Sequence, residues 1–218
     1  MTVYCKNCRA EWERAKILPC PDCRQAAIEC SCVPELIENF TVVSLFKFGT
    51  LLEADRLVYS IKRRKLPRTY KFAADELASR MLSYCRENGL DLSDAVVTHV
   101  PRSKRSTSRY GFDHGKLLAE AVAERLALKH LTLLRRNSRR GRDQKKLSAA
   151  ERIINASHKF KLLKDIDIKG RTVLIVDDVI TTGATVGSCA GALYEGEPDK
   201  IIVLCLAKNR KFKKERKP

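Results

Sequence analysis

Apolar residues occur along this chain in two alternating patterns, short continuous runs and stripes at helical spacing. The run Val173–Val176 is mostly β-branched and is followed by polar residues, which is typical of a strand buried on both faces of a parallel sheet. Further strands are predicted at 40–48, 95–100, 131–134 and 201–206. Helices are predicted at 51–62, 70–87, 113–128 and 184–195. The alternation predicts an α/β fold, a parallel twisted sheet with helices on both faces.

An acidic pair and a small, hydroxyl-rich turn follow the run at 173–176. Asp177 and Asp178 lie where the strand should reach the edge of the sheet. A tight turn that leads into a helix presents free backbone N–H groups and the positive end of the helix dipole, which together hold a phosphate. The acids beside it can hold hydroxyl groups or a cation. The predicted phosphate turn comprises Thr181, Thr182, Gly183, Ala184 and Thr185.

The stretch from Val173 to Thr185, VLIVDDVITTGAT, resembles the 5-phosphoribosyl-1-pyrophosphate (PRPP) motif of type I phosphoribosyltransferases. Hydrophobic residues, a pair of acids, more hydrophobic residues and a Thr/Gly/Thr loop follow one another without a gap. The resemblance implies that Asp177 and Asp178 bind the ribose hydroxyls and that the turn binds the 5-phosphate through backbone amides. The alternative is a buried strand that ends in a solvated pair of acids and an ordinary turn.

A basic loop follows the predicted strand at 95–100. Its first residues after a proline are Arg102, Ser103, Lys104 and Arg105. In type I phosphoribosyltransferases the loop after the first core strand binds pyrophosphate, so the resemblance implies that this loop contacts pyrophosphate together with Mg²⁺. Cations suit that role because they take up the charge of the leaving group. A solvated loop is the alternative. A second basic cluster, Lys62–Lys65, either ends a helix on a solvated face or contacts phosphate.

Most of the cysteines, six of nine, lie within the first 32 residues. Cys5 and Cys8 form one CxxC pair, and Cys20 and Cys23 form another. Each pair places its thiolates on one side of a tight turn, and four thiolates form the tetrahedral site that suits zinc. The sequence favours these four cysteines as ligands of a structural Zn²⁺. An alternative ligand set, with the less common CxC spacing, is Cys20, Cys23, Cys30 and Cys32.

The net charge of the chain is +17, and a surface of that kind attracts polyanions such as nucleic acid. The segment 135–146 holds seven basic residues and one acid, and the segment 208–218 holds seven cations and one glutamate. The first is predicted to be an exposed loop. The resemblance to type I phosphoribosyltransferases implies a loop that closes over bound PRPP, and the alternatives are an arm that binds nucleic acid or a plain solvated loop. The second is predicted to be a disordered tail that contacts polyanions.

The order of these features resembles the ComF-type competence proteins, which are phosphoribosyltransferase-like proteins tied to bacterial DNA uptake and natural transformation. A cysteine knuckle, an LFKF strand, a VPRSKR loop and the VDDVITTGAT motif follow one another along the chain. Where that family commonly has Arg-Gly-Phe-Asn-Gln, this chain has Tyr110-Gly111-Phe112-Asp113-His114, so no polar role is carried over to Tyr110, Asp113 or His114. The resemblance implies PRPP, single-stranded DNA and a competence helicase or other DNA-uptake proteins as partners.

Three parts are expected along the chain: a zinc-binding knuckle at 1–33, a phosphoribosyltransferase-like domain at 34–207 and the basic tail at 208–218. No apolar run reaches the roughly 18–20 residues of a membrane span. The first residues are charged and do not form the apolar stretch of a signal peptide. We therefore expect a cytoplasmic protein without a membrane span.

Two functions follow from these features. The first is a PRPP-binding competence protein that aids the uptake and handling of single-stranded DNA. The second is an active phosphoribosyltransferase in nucleotide metabolism, in which a nitrogen nucleophile attacks C1 of PRPP and Mg-pyrophosphate leaves. No Ser-His-Asp or Cys-His pattern indicates a covalent nucleophile, and no segment identifies an acceptor base. No catalytic residue is therefore assigned.

Overall fold

The computed structural model of the protein describes residues 4–137, 159–163 and 166–209, apart from the side chains of 104–106. The helices in these ranges are α1 (Lys6–Ile17), α2 (Leu52–Arg63), α3 (Pro67–Asn88), α4 (Lys104–Tyr110), α5 (His114–Leu126) and α6 (Ala184–Tyr194), with a single 3-10 turn at Glu35–Ile37. The strands are β1 (Thr41–Phe48), β2 (Val96–His99), β3 (Lys129–His130), β4 (Leu134–Arg136), β5 (Phe160–Leu162), β6 (Thr172–Ile180) and β7 (Lys200–Asn209).

The main sheet has five strands in the order β1-β7-β6-β2-β3, and every neighbouring pair in it is parallel. Strands β4 and β5 form a separate antiparallel pair. Parallel strands need crossover connections, and α2 with α3, α4 with α5, and α6 provide them here. The predicted parallel sheet with helices is confirmed. Strand β6 lies at its centre, so the C-terminal end of β6 adjoins those of β2 and β7.

Strand β6 separates two helical layers. Leu174 and Val176 pack with buried residues of α1, α2, α3 and α5, whereas Val173 and Ile175 pack with those of α6. Side chains alternate between the two faces of a strand. The next two residues of β6, the predicted acidic pair, are therefore directed to opposite faces of the sheet.

Helix α1 packs into the core of the main domain. The Trp12 side chain is fully buried, with its ring centroid 5.3 Å from that of Phe46 on β1. Its indole N–H donates to the carboxylate of Glu76 on α3 over 2.9 Å, and Arg9 and Lys16 contact the same carboxylate at 3.0 and 2.9 Å. The N-terminal segment is therefore held on the main domain by buried aromatic surface and by one shared carboxylate.

Strand β7 extends two residues, Lys208 and Asn209, into the segment that the sequence assigns to the basic tail. Lys208 is fully buried, pairs in register with Lys47 of β1, and donates from its ammonium group to the Cys30 carbonyl oxygen. It therefore belongs to the sheet. The rest of the predicted tail, 210–218, lies outside the described residues. Among the described helices, none is both long and apolar enough to cross a membrane.

Candidate functional site

The acids of the predicted PRPP motif lie near the C-terminal end of β6. Asp177 and Asp178 are 8% and 3% exposed. The strand continues past them to Ile180, so both acids belong to the strand itself. Buried carboxylates need hydrogen-bond donors, and the backbone supplies some. The Asp178 N–H donates to Asp177 Oδ1 over 2.9 Å, and the Val179 N–H donates to Asp178 Oδ1 over 2.7 Å.

Basic side chains from three different segments surround the Asp178 carboxylate. Arg102, in the loop after β2, donates from Nη2 to Oδ2 over 3.0 Å, and His114 Nε2 lies 3.0 Å from the same oxygen. Lys62 Nζ, at the end of α2, lies 3.3 Å from Oδ1. Arg102 Nη2 also lies 3.6 Å from Asp177 Oδ1. The site therefore combines two acids with basic groups in a largely buried space.

Burial and charge shift the two carboxyl groups in opposite directions. Burial raises the pKa of Asp177 to about 7, and the charge of neighbouring Asp178 adds to that rise. Burial also raises the pKa of Asp178, but the contact with His114 and the charges of Lys62 and Arg102 outweigh it and lower that pKa to about 2. Asp178 is thus the ionised member of the pair, and Asp177 is the member that takes up a proton near neutral pH.

His114 and Lys62 are site residues that the sequence analysis did not assign to the site. Asp113 caps the N-terminus of α5 by accepting from the Lys116 N–H over 3.1 Å, and this cap places His114 in the first turn. An Asp at the start of a predicted helix was the signal available in the sequence. For Lys62 the sequence left phosphate contact open, and the structure directs the side chain to a carboxylate.

The predicted phosphate turn connects β6 to α6. Gly183 is the N-cap of α6 with a φ of 76°, a left-handed conformation that glycine adopts without strain. The side chains of Thr181, Thr182 and Thr185 are exposed, and the Ala184 N–H lies 3.4 Å from Thr182 Oγ1. The first turn of a helix leaves N–H groups without intrahelical partners. This turn therefore has the backbone arrangement that binds a phosphate group.

The predicted basic loop is shorter than the sequence suggested. Arg102 and Ser103 lie in the loop after β2, whereas Lys104 and Arg105 begin α4, and the side chains of these last two lie outside the description. The Ser103 carbonyl accepts from the Thr107 N–H over 3.0 Å and so belongs to the first turn of α4. Of the side chains described in this loop, Arg102 is the one with an ion-pair contact to the acidic pair.

A second candidate site is a cluster of cysteines in the N-terminal segment. Its sulfur atoms lie within 4.8 Å of one another and belong to Cys20, Cys23, Cys30 and Cys32. Four sulfur ligands at about 2.3 Å from a tetrahedral zinc ion meet this condition. The cluster therefore fits a tetrathiolate metal ion. It corresponds to the alternative ligand set and not to the set with Cys5 and Cys8 that the sequence favoured.

Cys5 and Cys8 belong to α1 instead. Cys5 caps this helix, its sulfur accepting from the Cys8 N–H, and the two sulfur atoms are 3.3 Å apart. Because the buried Trp12 fixes α1 on the main domain, this pair is held with the helix. Within the described part of the chain, the pair is not part of a group of three or more converging metal-ligand side chains.

Buried lysines lie beside the four-cysteine cluster. Lys47 and Lys208 are 1% and 0% exposed. Burial raises the pKa of Cys30, and the positive charges of both lysines oppose that rise. Burial raises the pKa of Cys20 as well, but hydrogen bonds from the backbone of the CxxC turn outweigh it and lower the pKa to about 7. A divalent ion with four thiolates carries a net charge of about −2, which two ammonium groups can offset.

Comparison with known proteins adds a family match. Residues 113–218 match the model of the phosphoribosyl transferase domain. The chain is 31% identical over 152 residues to DNA utilization protein YhgH of Salmonella typhimurium, a match that spans 70% of this chain and 66% of that protein. It is 29% identical over 124 residues to Competence protein F of Haemophilus influenzae, spanning 56% of this chain and 54% of that protein. The matches thus cover about half to two thirds of the relatives' own length.

Among solved structures, the purine phosphoribosyltransferase from Pyrococcus horikoshii is similar with a TM-score of 0.40 and 19% identity, covering 63% of this chain and 74% of that chain. The domain match and the parallel sheet with its acidic strand end define a phosphoribosyltransferase-like domain. Together with the relatives named for competence and DNA utilization, the chain belongs to the ComF-type family of phosphoribosyltransferase-like proteins.

Proposed function

We propose that this protein binds PRPP at the C-terminal end of β6 and acts in the handling of single-stranded DNA during bacterial competence. The proposal rests on one observation, that acidic residues, a helix N-terminus and a basic side chain come together at the C-terminal end of β6. An acidic pair, Asp177 and Asp178, lies between the glycine-capped helix at Gly183 and the basic side chain of Arg102. A sugar phosphate has hydroxyls for the acids and a phosphate for the helix N-terminus.

In this proposal each part of PRPP has its own group of residues. Asp177 and Asp178 accept hydrogen bonds from the ribose hydroxyls, and the turn from Thr181 to Thr185 holds the 5-phosphate through backbone amides. Arg102 and the residues that follow it take the pyrophosphate. When bound, Mg²⁺ supplies charge neutralisation at the pyrophosphate oxygens. A Zn²⁺ ion in the four-cysteine cluster has a structural role, because four thiolates leave no open coordination position.

The DNA-handling part of the proposal is supported by the names of the relatives and by the charge of the chain. One relative is named for DNA utilization and another for competence. The net charge of +17 favours a polyanionic partner. Single-stranded DNA is the nucleic acid that we propose, and a helicase or another protein of DNA uptake is the proposed protein partner.

A second candidate function is a phosphoribosyltransferase with turnover. The position of Arg102 favours it, since this side chain contacts both acids and follows β2, from where it can stabilise charge on a leaving pyrophosphate. A nitrogen nucleophile would attack C1 of PRPP, the C1–O bond to pyrophosphate would break, and no enzyme nucleophile would be needed. Catalysis would then come from positioning and from charge stabilisation.

One experiment separates the two functions. Pyrophosphate release is measured with PRPP, Mg²⁺ and a panel of purine, pyrimidine and amine acceptors, and binding of labelled single-stranded DNA is measured by fluorescence anisotropy on the same preparation. We expect tight DNA binding without pyrophosphate release above the rate of spontaneous PRPP hydrolysis. Acceptor-dependent release would overturn the binding-protein proposal in favour of the transferase. Failure to bind single-stranded DNA would contradict the DNA-handling role.

A further inference from the structure

The segment that follows the four-cysteine cluster packs directly against the phosphate turn. Ile37, in the 3-10 turn before β1, is 1% exposed. A methyl group added at Gly183 would lie 2.9 Å from Ile37 Cγ1, and one added at Gly187 would lie 3.5 Å from Ile37 Cγ2. Ile37 therefore fills the space that Gly183 leaves at the start of α6. Movement of Ile37 would therefore remove a packing contact from Gly183, the N-cap of α6.

Ile37 belongs to a small apolar cluster that connects the cysteines with the turn. The buried members of this bridging cluster are Ile37, Ile180, Val186, Val203 and Cys205. Val33, which directly follows Cys32, packs against them. Ile180 and Val186 flank the phosphate turn on either side in the sequence. The bridging cluster thus joins the last residue of the CxC pair to both ends of the turn.

The connection between the cysteine cluster and Ile37 is short and restricted. It runs from Cys32 through Pro34, whose φ of −60° is fixed by its ring. The Ile37 N–H donates to the Pro34 carbonyl over 2.9 Å. At the other end, the Cys30 carbonyl accepts from the buried ammonium group of Lys208 on β7. A change in the position of Cys32 therefore reaches Ile37 through a short backbone segment that Pro34 and the 3-10 turn restrict.

We propose that Ile37 is a positioning residue for the phosphate turn and that a metal ion in the four-cysteine cluster holds Ile37 in place. The ion cross-links Cys20, Cys23, Cys30 and Cys32, and the bridging cluster carries that constraint to Gly183. Metal occupancy consequently raises the affinity of the turn for the 5-phosphate of PRPP. This inference rests on the proposed PRPP-binding function, and it adds a coupling between two sites.

The first test uses two matched substitutions at opposite ends of α6. Ile168 is also 1% exposed, and it packs against Gly196 just past the end of this helix, as Ile37 packs against Gly183 at its start. Ile37→Ala and Ile168→Ala remove the same atoms from equally buried positions. Affinity for PRPP in the presence of Mg²⁺ is measured by calorimetry on zinc-loaded protein, and stability is measured by urea unfolding.

We expect Ile37→Ala to weaken PRPP binding roughly tenfold or more, because displacement of binding groups by about 1 Å costs large factors. Ile168→Ala should bind PRPP within about twofold of the wild type, since the strand end and the turn are unchanged. Equal affinities of the two variants would overturn the inference. A wild type that does not bind PRPP would instead contradict the proposed function. If Ile37→Ala does not fold, Ile37→Val provides the comparison with an intermediate loss of affinity.

The second test uses the reciprocity of coupled binding. If zinc raises the affinity for PRPP by some factor, PRPP must raise the affinity for zinc by the same factor, typically about 5–150-fold for coupled sites. The zinc dissociation constant is measured by competition with the chromophoric chelator 4-(2-pyridylazo)resorcinol in excess Mg²⁺, with and without PRPP. We expect tighter zinc binding with PRPP in the wild type and a smaller effect in Ile37→Ala.

Asp177→Asn is the control for direct chelation of zinc by PRPP, because it removes a proposed ribose contact and leaves the cysteines intact. At a PRPP concentration close to the dissociation constant of the wild type, PRPP should change the zinc dissociation constant of this variant much less than that of the wild type, because the variant is expected to bind PRPP about tenfold more weakly. An equal change in Asp177→Asn and the wild type, or no change in a wild type that binds PRPP, would overturn the coupling.

Discussion

At the scale of single residues, the acidic pair on β6 shows how neighbouring identical side chains acquire different properties. Asp178 is directed to the face of α2 and α5, where Lys62, Arg102 and His114 surround it. Asp177 is directed to the other face and contacts one of these groups, Arg102, at the longer distance of 3.6 Å. Ionisation is therefore stabilised at Asp178 and opposed by burial at Asp177.

This difference gives a pH dependence with a definite sign. The pKa of Asp177 is raised from its usual 3.8 to about 7, so between these values the folded protein holds a proton that the unfolded chain releases. The contribution of Asp177 to the free energy of unfolding therefore falls as the pH rises through this window. We expect the free energy of unfolding of the wild type to fall, relative to that of Asp177→Asn, when urea unfolding is compared between about pH 5 and pH 8.

The exposed Asp199 provides the control for that comparison. Asp199→Asn should leave the pH profile parallel to that of the wild type. Parallel profiles for Asp177→Asn and the wild type would show that Asp177 does not carry the raised pKa.

The residues of the site differed in how far the sequence could predict them. The acids and the phosphate turn could be predicted because they are contiguous from Asp177 to Thr185 and have a recognisable pattern. Lys62 and His114 could not be assigned, because only the packing of α2 and α5 on the sheet brings them to Asp178. For the metal, the sequence favoured the set with Cys5 and Cys8, because the spacing allows both sets and does not reveal that α1 holds these two cysteines apart from the cluster of Cys20, Cys23, Cys30 and Cys32.

At the scale of elements, α1 is the part whose attachment most affects the N-terminal segment. Glu76 of α3 accepts from Trp12 and Lys16 and lies 3.0 Å from Arg9, all on α1. Burial raises the pKa of this carboxyl, but the Trp12 hydrogen bond and the charges of Lys16 and Arg9 outweigh it and lower the pKa. The ion-pair network therefore contributes stability at neutral pH and loses it as the pH falls through the acid range.

We expect Glu76→Gln to lower the free energy of unfolding by about 1–3 kcal/mol, because it removes a charged acceptor shared by several donors. The measurement is urea unfolding at neutral pH. Glu87, whose side chain is 57% exposed beside Arg80, is the matched control, and Glu87→Gln should change stability by no more than about 0.5 kcal/mol. Equal effects of the two substitutions would indicate that Glu76 does not anchor α1.

Most elements with a clear apolar pattern were predicted close to their observed bounds, but the strand predicted at 131–134 was wrong, because β3 ends at His130 and β4 begins at Leu134. The helix predicted at 184–195 matches α6, whereas β6 is longer than the apolar run at 173–176 because it continues through the acidic pair to Ile180. Helix α4, KRSTSRY, has no apolar stripe, so the sequence predicted a loop there. Its hydrogen bonds are local, for example from the Gly111 N–H to the Thr107 carbonyl over 2.8 Å. Backbone hydrogen bonds of this kind form without an apolar stripe, so the sequence carries no periodic pattern that would predict this helix.

At the scale of the whole molecule, the large excess of basic residues is the property that the packing of the fold does not explain. The fold buries Lys208 and so removes it from any surface that could bind polyanions. The nine residues that follow, 210–218, carry six cations and one glutamate. A DNA-binding role for the C-terminal segment must therefore depend on residues after Asn209. A truncation that removes Lys208 would damage the sheet as well.

We expect deletion of 210–218 to weaken binding of single-stranded DNA and to reduce the slope of log affinity against log salt, because fewer DNA phosphates are neutralised and fewer counterions are released. The measurement is fluorescence anisotropy at several salt concentrations. Thermal unfolding of the truncated protein should match that of the wild type, since β7 is retained through Asn209. An unchanged salt slope would exclude this segment from DNA binding.

The central claim is that the end of β6 and the turn into α6 bind PRPP, and calorimetric titration of PRPP with Mg²⁺ into the zinc-loaded wild type and Asp177→Asn tests it most directly. Asp177 is the suitable position because Asp178 also contacts Arg102 and the buried His114, so its removal would destabilise the fold. We predict saturable binding by the wild type that weakens by about tenfold or more in Asp177→Asn, because the amide replaces one of the two carboxyl oxygens with an NH₂ group that cannot accept a hydrogen bond from a ribose hydroxyl. No saturable binding by the wild type, or equal affinity of both proteins, would contradict the claim.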